Sequence, residues 1–177
     1  MKLAPASLRL LFVVLALLLS AGATAQAPSG AQPPSPLRSL SVDELVDALA
    51  PPQPTTRSLR NLQVAPAKVD LMINFDFDSA RIQDSSKPQL QHLAAAMKVD
   101  RMLTLQFAVE GHTDAKGTAQ YNQRLSEQRA QAVMRFLVAE GVQASRLSAS
   151  GKGFAELLNA NDPLAAENRR VRIKTRE

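Results

Sequence analysis

Residues 103–141, LTLQFAVEGHTDAKGTAQYNQRLSEQRAQAVMRFLVAEG, contain the change of period that decides the fold. Leu103, Leu105, Phe107 and Val109 recur at every second position, the pattern of a half-buried strand ending at Gly111. A polar loop follows over 111–120. From about Asn122 to Glu140 the period lengthens to that of a helix, with Gly141 as its C-terminal stop. At roughly 100° per residue, Leu125, Ala132, Val133 and Phe136 define the buried stripe of that helix. Arg124, Glu127, Gln131 and Arg135 fall on the opposite side. Arg129 does not join them: it projects onto the apolar stripe, with Asn122 close to the same direction. A guanidinium there needs an anionic partner, because stranding a buried charge costs several kcal/mol. Asp114, in the loop entering the helix, is the candidate. Two readings follow. Either Arg129 and Asp114 form a bridge that ties loop to helix, or they stand apart so that a ligand with both an ammonium and a carboxylate enters between them.

Outward from this stretch the alternation continues. Val69, Leu71, Ile73 and Phe75 share one face of a strand predicted over 69–75. Pro88 suits the first turn of a helix in which Leu90, Leu93, Ala94 and Met97 share a face, with His92 roughly opposite and solvated. Short strands near 147–149 and 171–174 complete the order β-α-β-α-β-β. That order predicts an α+β sandwich, with two helices packed on one face of a mixed sheet. Arg170 and Arg172 alternate with Val171 and Ile173 and read as edge-strand charges.

Composition sets the limits of this domain. Eight of the eleven prolines lie between Pro28 and Pro66, whereas six of the seven aromatics lie after residue 68. A core-forming domain is therefore expected over 69–177, long enough to bury a real core. Residues 1–25 read as a secretory signal peptide, with Lys2 and Arg9 before the apolar run 10–19 and cleavage after Ala25. Ten apolar residues are too few to span a bilayer, so no transmembrane span is expected in the mature chain. Without Lys2 and Arg9 the net charge falls from +5 to about +3. Residues 26–68 read as a Pro-rich linker holding one short amphipathic helix at 41–49. There Ser41 and Glu44 have capping-box spacing, and Val42, Leu45, Val46 and Leu49 form an apolar stripe. So short a helix must dock, either on its own domain or on an envelope protein. The absence of cysteine removes disulfides, thiolate metal sites, a cysteine nucleophile and a thiol for lipid attachment. With only His92 and His112, no metal site or cofactor is expected.

At this point four ordered blocks resemble a known family. They are Phe75-Asp76-Phe77-Asp78-Ser79; Glu110-Gly111-His112-Thr113-Asp114 with Gly117 and Tyr121-Asn122; Leu125-Ser126 with Arg129-Ala130; and Asn168-Arg169-Arg170-Val171. They resemble the C-terminal domain of outer-membrane protein A across 69–177. The resemblance implies the β-α-β-α-β-β fold and noncovalent binding of bacterial peptidoglycan through the diaminopimelate of its stem peptide. By position, it implies that Asp114 takes the ammonium and Arg129 the carboxylate. Asp76, Thr113, Asn122 and Arg169 would line the same groove, and His112 would fix the loop by hydrogen bonds. Glu156 is followed by Leu157 and Leu158, where the family often has proline, which leaves the course of the 155–168 loop open.

The function expected is thus a noncatalytic wall-binding module in the periplasm, associated with the cell wall and peripheral to the outer membrane. One alternative is an adaptor whose main partner is an envelope protein or an anionic lipid met by Arg57, Arg60 and Lys68. A wall hydrolase working through Asp114 with Asp76 or Asp78 is the other, but no activated nucleophile accompanies these carboxylates. Nucleic acid is not an expected partner, since the charge excess is small.

Overall fold

The computed structural model describes residues 39–51 and 66–176. Helix α1 (Val42–Leu49) is followed by β1 (Lys68–Leu71), α2 (Lys87–Met97), β2 (Gln106–Gly111), α3 (Ala119–Ala139), β3 (Leu147–Gly151) and β4 (Val171–Arg176). The strands form one sheet in the order β1-β4-β2-β3. β4 runs antiparallel to both β1 and β2, while β2 and β3 are parallel and joined through α3. The expected α+β sandwich is therefore what forms. Phe107, Val109, Leu71, Val171 and Ile173 turn one sheet face toward Leu90, Leu93 and Met97 of α2 and Val133 and Leu137 of α3, all of them buried.

Three boundaries differ from those expected. β1 stops at Leu71, where its register with Val171 ends, rather than at Phe75. The chain then folds into a hairpin in which Phe75 bridges Ile82, and Asn74 N–H donates to Ser86 Oγ at 2.8 Å. β2 begins at Gln106, because 100–102 form a single 3₁₀ turn that leaves Leu103 half exposed. α3 begins at Ala119, three residues early, since Thr118 Oγ1 accepts from Tyr121 N–H and caps it.

The buried stripe of α3 is also rotated from the expected one. Asn122, Ser126, Ala130, Val133 and Leu137 face the sheet, whereas Leu125, Ala132 and Phe136 are only partly buried. The first half of this stripe is small and polar because the backbones meet there. A Cβ placed on Gly111 would lie 2.1 Å from the Ser126 carbonyl oxygen, and one on Gly151 would lie 2.5 Å from Glu127 N. Only glycine permits that approach.

Helix α1 forms with the full capping box between Ser41 and Glu44. Its apolar face is covered by the chain's own α2 and sheet: Leu45, Val46 and Leu49 are essentially inaccessible. Leu40 N–H donates to Gln89 Oε1 at 3.0 Å, and Thr175 Oγ1 donates to the Leu49 carbonyl at 2.6 Å. The face that offered itself to an envelope protein is thus spent inside the domain, whose packed unit takes in residues N-terminal to Val69. His92, exposed as expected, has Nδ1 3.1 Å from the Leu40 carbonyl oxygen. The leader with its expected cleavage after Ala25, the Pro-rich run 26–36, and Arg57 and Arg60 lie outside the described residues. No helix among the described residues is long and apolar enough to cross a membrane.

Candidate functional site

A cleft of about 610 Å³ opens where the 75–79 hairpin, the loop after β2, the first half of α3 and Arg169 converge. It is lined by all six residues singled out in the sequence: Asp76, Thr113, Asp114, Asn122, Arg129 and Arg169. Phe75, Phe77 and Tyr121, which were not assigned to a site, line it too, as does Asp78, named only for the hydrolase alternative.

Asp114 is held firmly. Its Oδ1 accepts from Lys116 N–H at 3.2 Å and its Oδ2 from Arg169 Nη1 at 2.8 Å. The loop around it is pinned by Thr113 N–H to the Gly153 carbonyl and Ala115 N–H to the Pro163 carbonyl, at 2.8 and 3.0 Å. Buried Asn122 spends its amide on the Lys116 carbonyl, at 2.8 Å, so it shapes the loop from beneath. Thr113 Oγ1 is buried and has no partner among the described residues.

Arg129 is half-buried at the margin of the α3 stripe. Its Nε donates to the Ser79 carbonyl at 3.0 Å, and its guanidinium carbon sits 4.9 Å from the centroid of the Phe75 ring. No carboxylate pairs with it among the described residues, and its two terminal nitrogens have no acceptor there. The bridge between Arg129 and Asp114 does not form; Asp114 pairs with Arg169 instead. Burial lowers the pKa of Arg129, a tendency that nearby Arg169 reinforces and Tyr121, Asp114 and Asp78 oppose. The aromatic face and the carbonyl offset part of the desolvation without neutralising the charge.

The remaining acids of the cleft are engaged at its rim. Asp78 adopts φ 50°, a left-handed conformation that aspartate tolerates, and accepts from the Tyr121 hydroxyl. That hydrogen bond raises the Tyr121 pKa and keeps the phenol protonated. Asp76 lies 3.6 Å from Arg81 in an exposed pair. Phe77 is 99% exposed at the hairpin tip.

Two expectations about neighbouring residues are revised. For His112 the expected hydrogen bonding does not involve the ring, since neither ring nitrogen has a partner among the described residues. Its backbone does that work, donating to the Arg170 carbonyl at 2.9 Å. Burial, with Arg170 and Arg172 nearby, pushes the His112 pKa down to about 3, so the ring is neutral. Arg170 and Arg172 are not edge charges either, since β4 is paired on both sides. Both are largely buried and converge on Asp70, Arg172 with two nitrogens at 2.8 and 3.1 Å. The 155–168 loop is stapled by fully buried Asn168, which bonds Asn159 and Asp162 and whose role had no sequence signal beyond its place in the fourth block. Among the described residues, the one cluster of metal-ligating side chains, Glu110, His112 and Glu156, lies outside the cleft.

Known proteins resemble this chain in sequence and fold. The chain is 42% identical over 107 residues to outer membrane porin F of Pseudomonas aeruginosa, a match spanning 59% of this chain and 30% of the porin. It thus covers less than a third of that relative's length. Among solved structures it is similar to the peptidoglycan-associated lipoprotein from Burkholderia pseudomallei, with TM-score 0.51 and 32% identity, covering 59% of this chain and 88% of that one. It is similar also to the cell wall anchor of the T6SS from Pseudomonas aeruginosa, with TM-score 0.51 and 32% identity over 62% of this chain and 80% of that one. The OmpA family model matches residues 74–171, more than half of the sequence, and the chain belongs to the OmpA family.

Proposed function

We propose that this protein binds peptidoglycan noncovalently in the periplasm, gripping the diaminopimelate of the stem peptide and so anchoring itself to the cell wall. Arg129 carries the reading. A half-buried guanidinium with both terminal nitrogens unpaired among the described residues, facing the cleft that also holds Asp114, suits a ligand carboxylate. A planar fork reads that group bidentately, which a lysine does not. The ligand's ammonium goes to Asp114, whose two oxygens offer about four lone-pair sites and so accept a further donor beside Lys116 N–H and Arg169. Fixed opposite charges select a zwitterion over a lone acid or amine. Arg169, half exposed, moves or shares as the ammonium arrives. Asp76, Thr113 and Asn122 complete the wall of the groove, Thr113 with a hydroxyl still unpaired among the described residues.

The wall associations that the Burkholderia lipoprotein and the Pseudomonas anchor carry in their names support the same reading, as does membership of the family. The reading is of noncatalytic binding: among the described residues, Asp114, Asp76 and Asp78 each engage an arginine or a phenol. The adaptor alternative is weakened, because Leu45, Val46 and Leu49 of α1 are buried in the domain.

Purified protein is expected to co-sediment with sacculi. Asp114→Ala and Arg129→Ala should each lower that binding by about tenfold or more, the loss of a charge-assisted contact, while keeping the wild-type circular dichroism spectrum. Undiminished binding by both folded variants would overturn the assigned site.

A further inference from the structure

We propose a second binding site: Glu110, His112 and Glu156, which lie outside the cleft, form a site for one divalent metal ion of the zinc class. Each residue offers a ligand atom, and the three atoms lie within 4.8 Å of one another. Two of the three side chains are almost wholly buried, Glu110 at 5% exposure and His112 at 2%. Their polar atoms are unsatisfied: Glu110 Oε2 and both His112 ring nitrogens have no hydrogen-bond partner among the described residues. Buried polar groups are rarely left so, and Glu110 Oε2 with one of the two imidazole nitrogens can share a single ion.

The donor set selects its chemistry. One imidazole nitrogen with two carboxylate oxygens suits zinc and its neighbours, which bind such atoms at about 2.0–2.2 Å and take water in the remaining positions. A small inward adjustment from 4.8 Å meets that geometry, and Glu156, whose side chain is 46% exposed, supplies the movable arm and the route in.

The charges around the cluster set its strength. Lys152 and Lys174 both contact Glu110 through Oε1, at 3.5 and 3.2 Å, and leave Oε2 to the metal. Arg172 takes Glu156 Oε2 at 3.2 Å, and Arg170 lies close to His112. Two carboxylates balance a divalent ion, but these four cations weaken it, so micromolar affinity is expected rather than the tighter grip of a dedicated structural site. The bound ion would tie the 152–168 loop to the end of β2. It would thereby stiffen the loop whose Gly153 carbonyl holds Thr113 N–H and whose Pro163 carbonyl holds Ala115 N–H.

The test is calorimetric titration of zinc chloride into the untagged full chain, followed by the imidazole signals in NMR. One equivalent should bind, with the His112 resonances shifting and those of His92 unmoved. Glu156→Gln, at an exposed position, should retain the fold and lower zinc affinity by about tenfold or more. Absence of saturable binding at micromolar zinc, equal affinity in folded Glu156→Gln, or a shift confined to His92 would each overturn the site.

Discussion

Asp70 holds two arginines at once, and its environment makes that consequential. Burial alone would raise its pKa, but the hydrogen bonds and charges of Arg172 and Arg170 hold it below the ordinary value. Arg170 has a side chain 1% exposed, so removing its counter-charge strands a buried cation. Asp70→Asn should destabilise the protein by about 3 kcal/mol at pH 7, the usual cost of breaking one side of a buried pair, as read from urea denaturation. The sign of the pH dependence follows from the depressed folded pKa. The stabilisation is fully present above the unfolded value of about 3.9 and is lost as pH falls through the folded value. The gap between wild type and Asp70→Asn should therefore narrow as pH falls below about 4. A constant gap would mean that the carboxylate's charge is not what the arginines need. At this scale the sequence was legible in part. Arg129 stood out because a charge fell among apolar positions, yet Arg170 and Arg172 read as edge charges, since strand order cannot be seen in a single chain's pattern.

Periodicity located both α3 and α1, but the buried face of α3 was misread. In α3 the apolar residues Leu125, Ala132 and Phe136 pointed to one stripe, while the sheet is met by Asn122, Ser126 and Ala130. Hydrophobicity misleads there because closeness, not apolar bulk, governs the contact with Gly111 and Gly151. Arg129 consequently lies beside the buried stripe, which is why it reaches a cleft instead of a core. Gly111→Ala should cost about 3 kcal/mol, at the upper end of overpacking effects, because the obstructing atoms are backbone and cannot rotate away. In α1 the capping box was readable, but which surface received its stripe was not. That depends on contacts with Gln89 and Thr175, far away in sequence. Leu45→Ala should cost about 3 kcal/mol by leaving a cavity, whereas Asp47→Ala, which loses only an exposed pair with Arg101, should cost about 0.5 kcal/mol or less. Thermal denaturation of the three variants checks this ranking. Equal effects for Leu45→Ala and Asp47→Ala would mean that α1 is not part of the cooperative core.

Across the whole molecule, a four-stranded sheet carries its helices on one face and a charged lattice on the other. The loops at one end gather residues that lie up to 94 positions apart, from Phe75 to Arg169, into one cleft. The α/β order was legible because each element has a clear period, and the six cleft residues were legible through ordered motif blocks. The contributions of Phe75 and Tyr121 were not, since one supports Arg129 from beneath and the other meets Asp78 across 43 positions of chain. The central claim is that Arg129 and Asp114 recognise the two charged ends of one zwitterion. It is tested most directly by NMR titration of the protein with a diaminopimelate stem peptide and with the same peptide carrying lysine, which lacks the second carboxylate. Saturable shifts at 75–79, 113–117 and Arg129 are predicted for the diaminopimelate peptide, with binding at least about tenfold weaker for the lysine peptide. Equal affinity for the two peptides, or shifts that avoid the cleft, would contradict it.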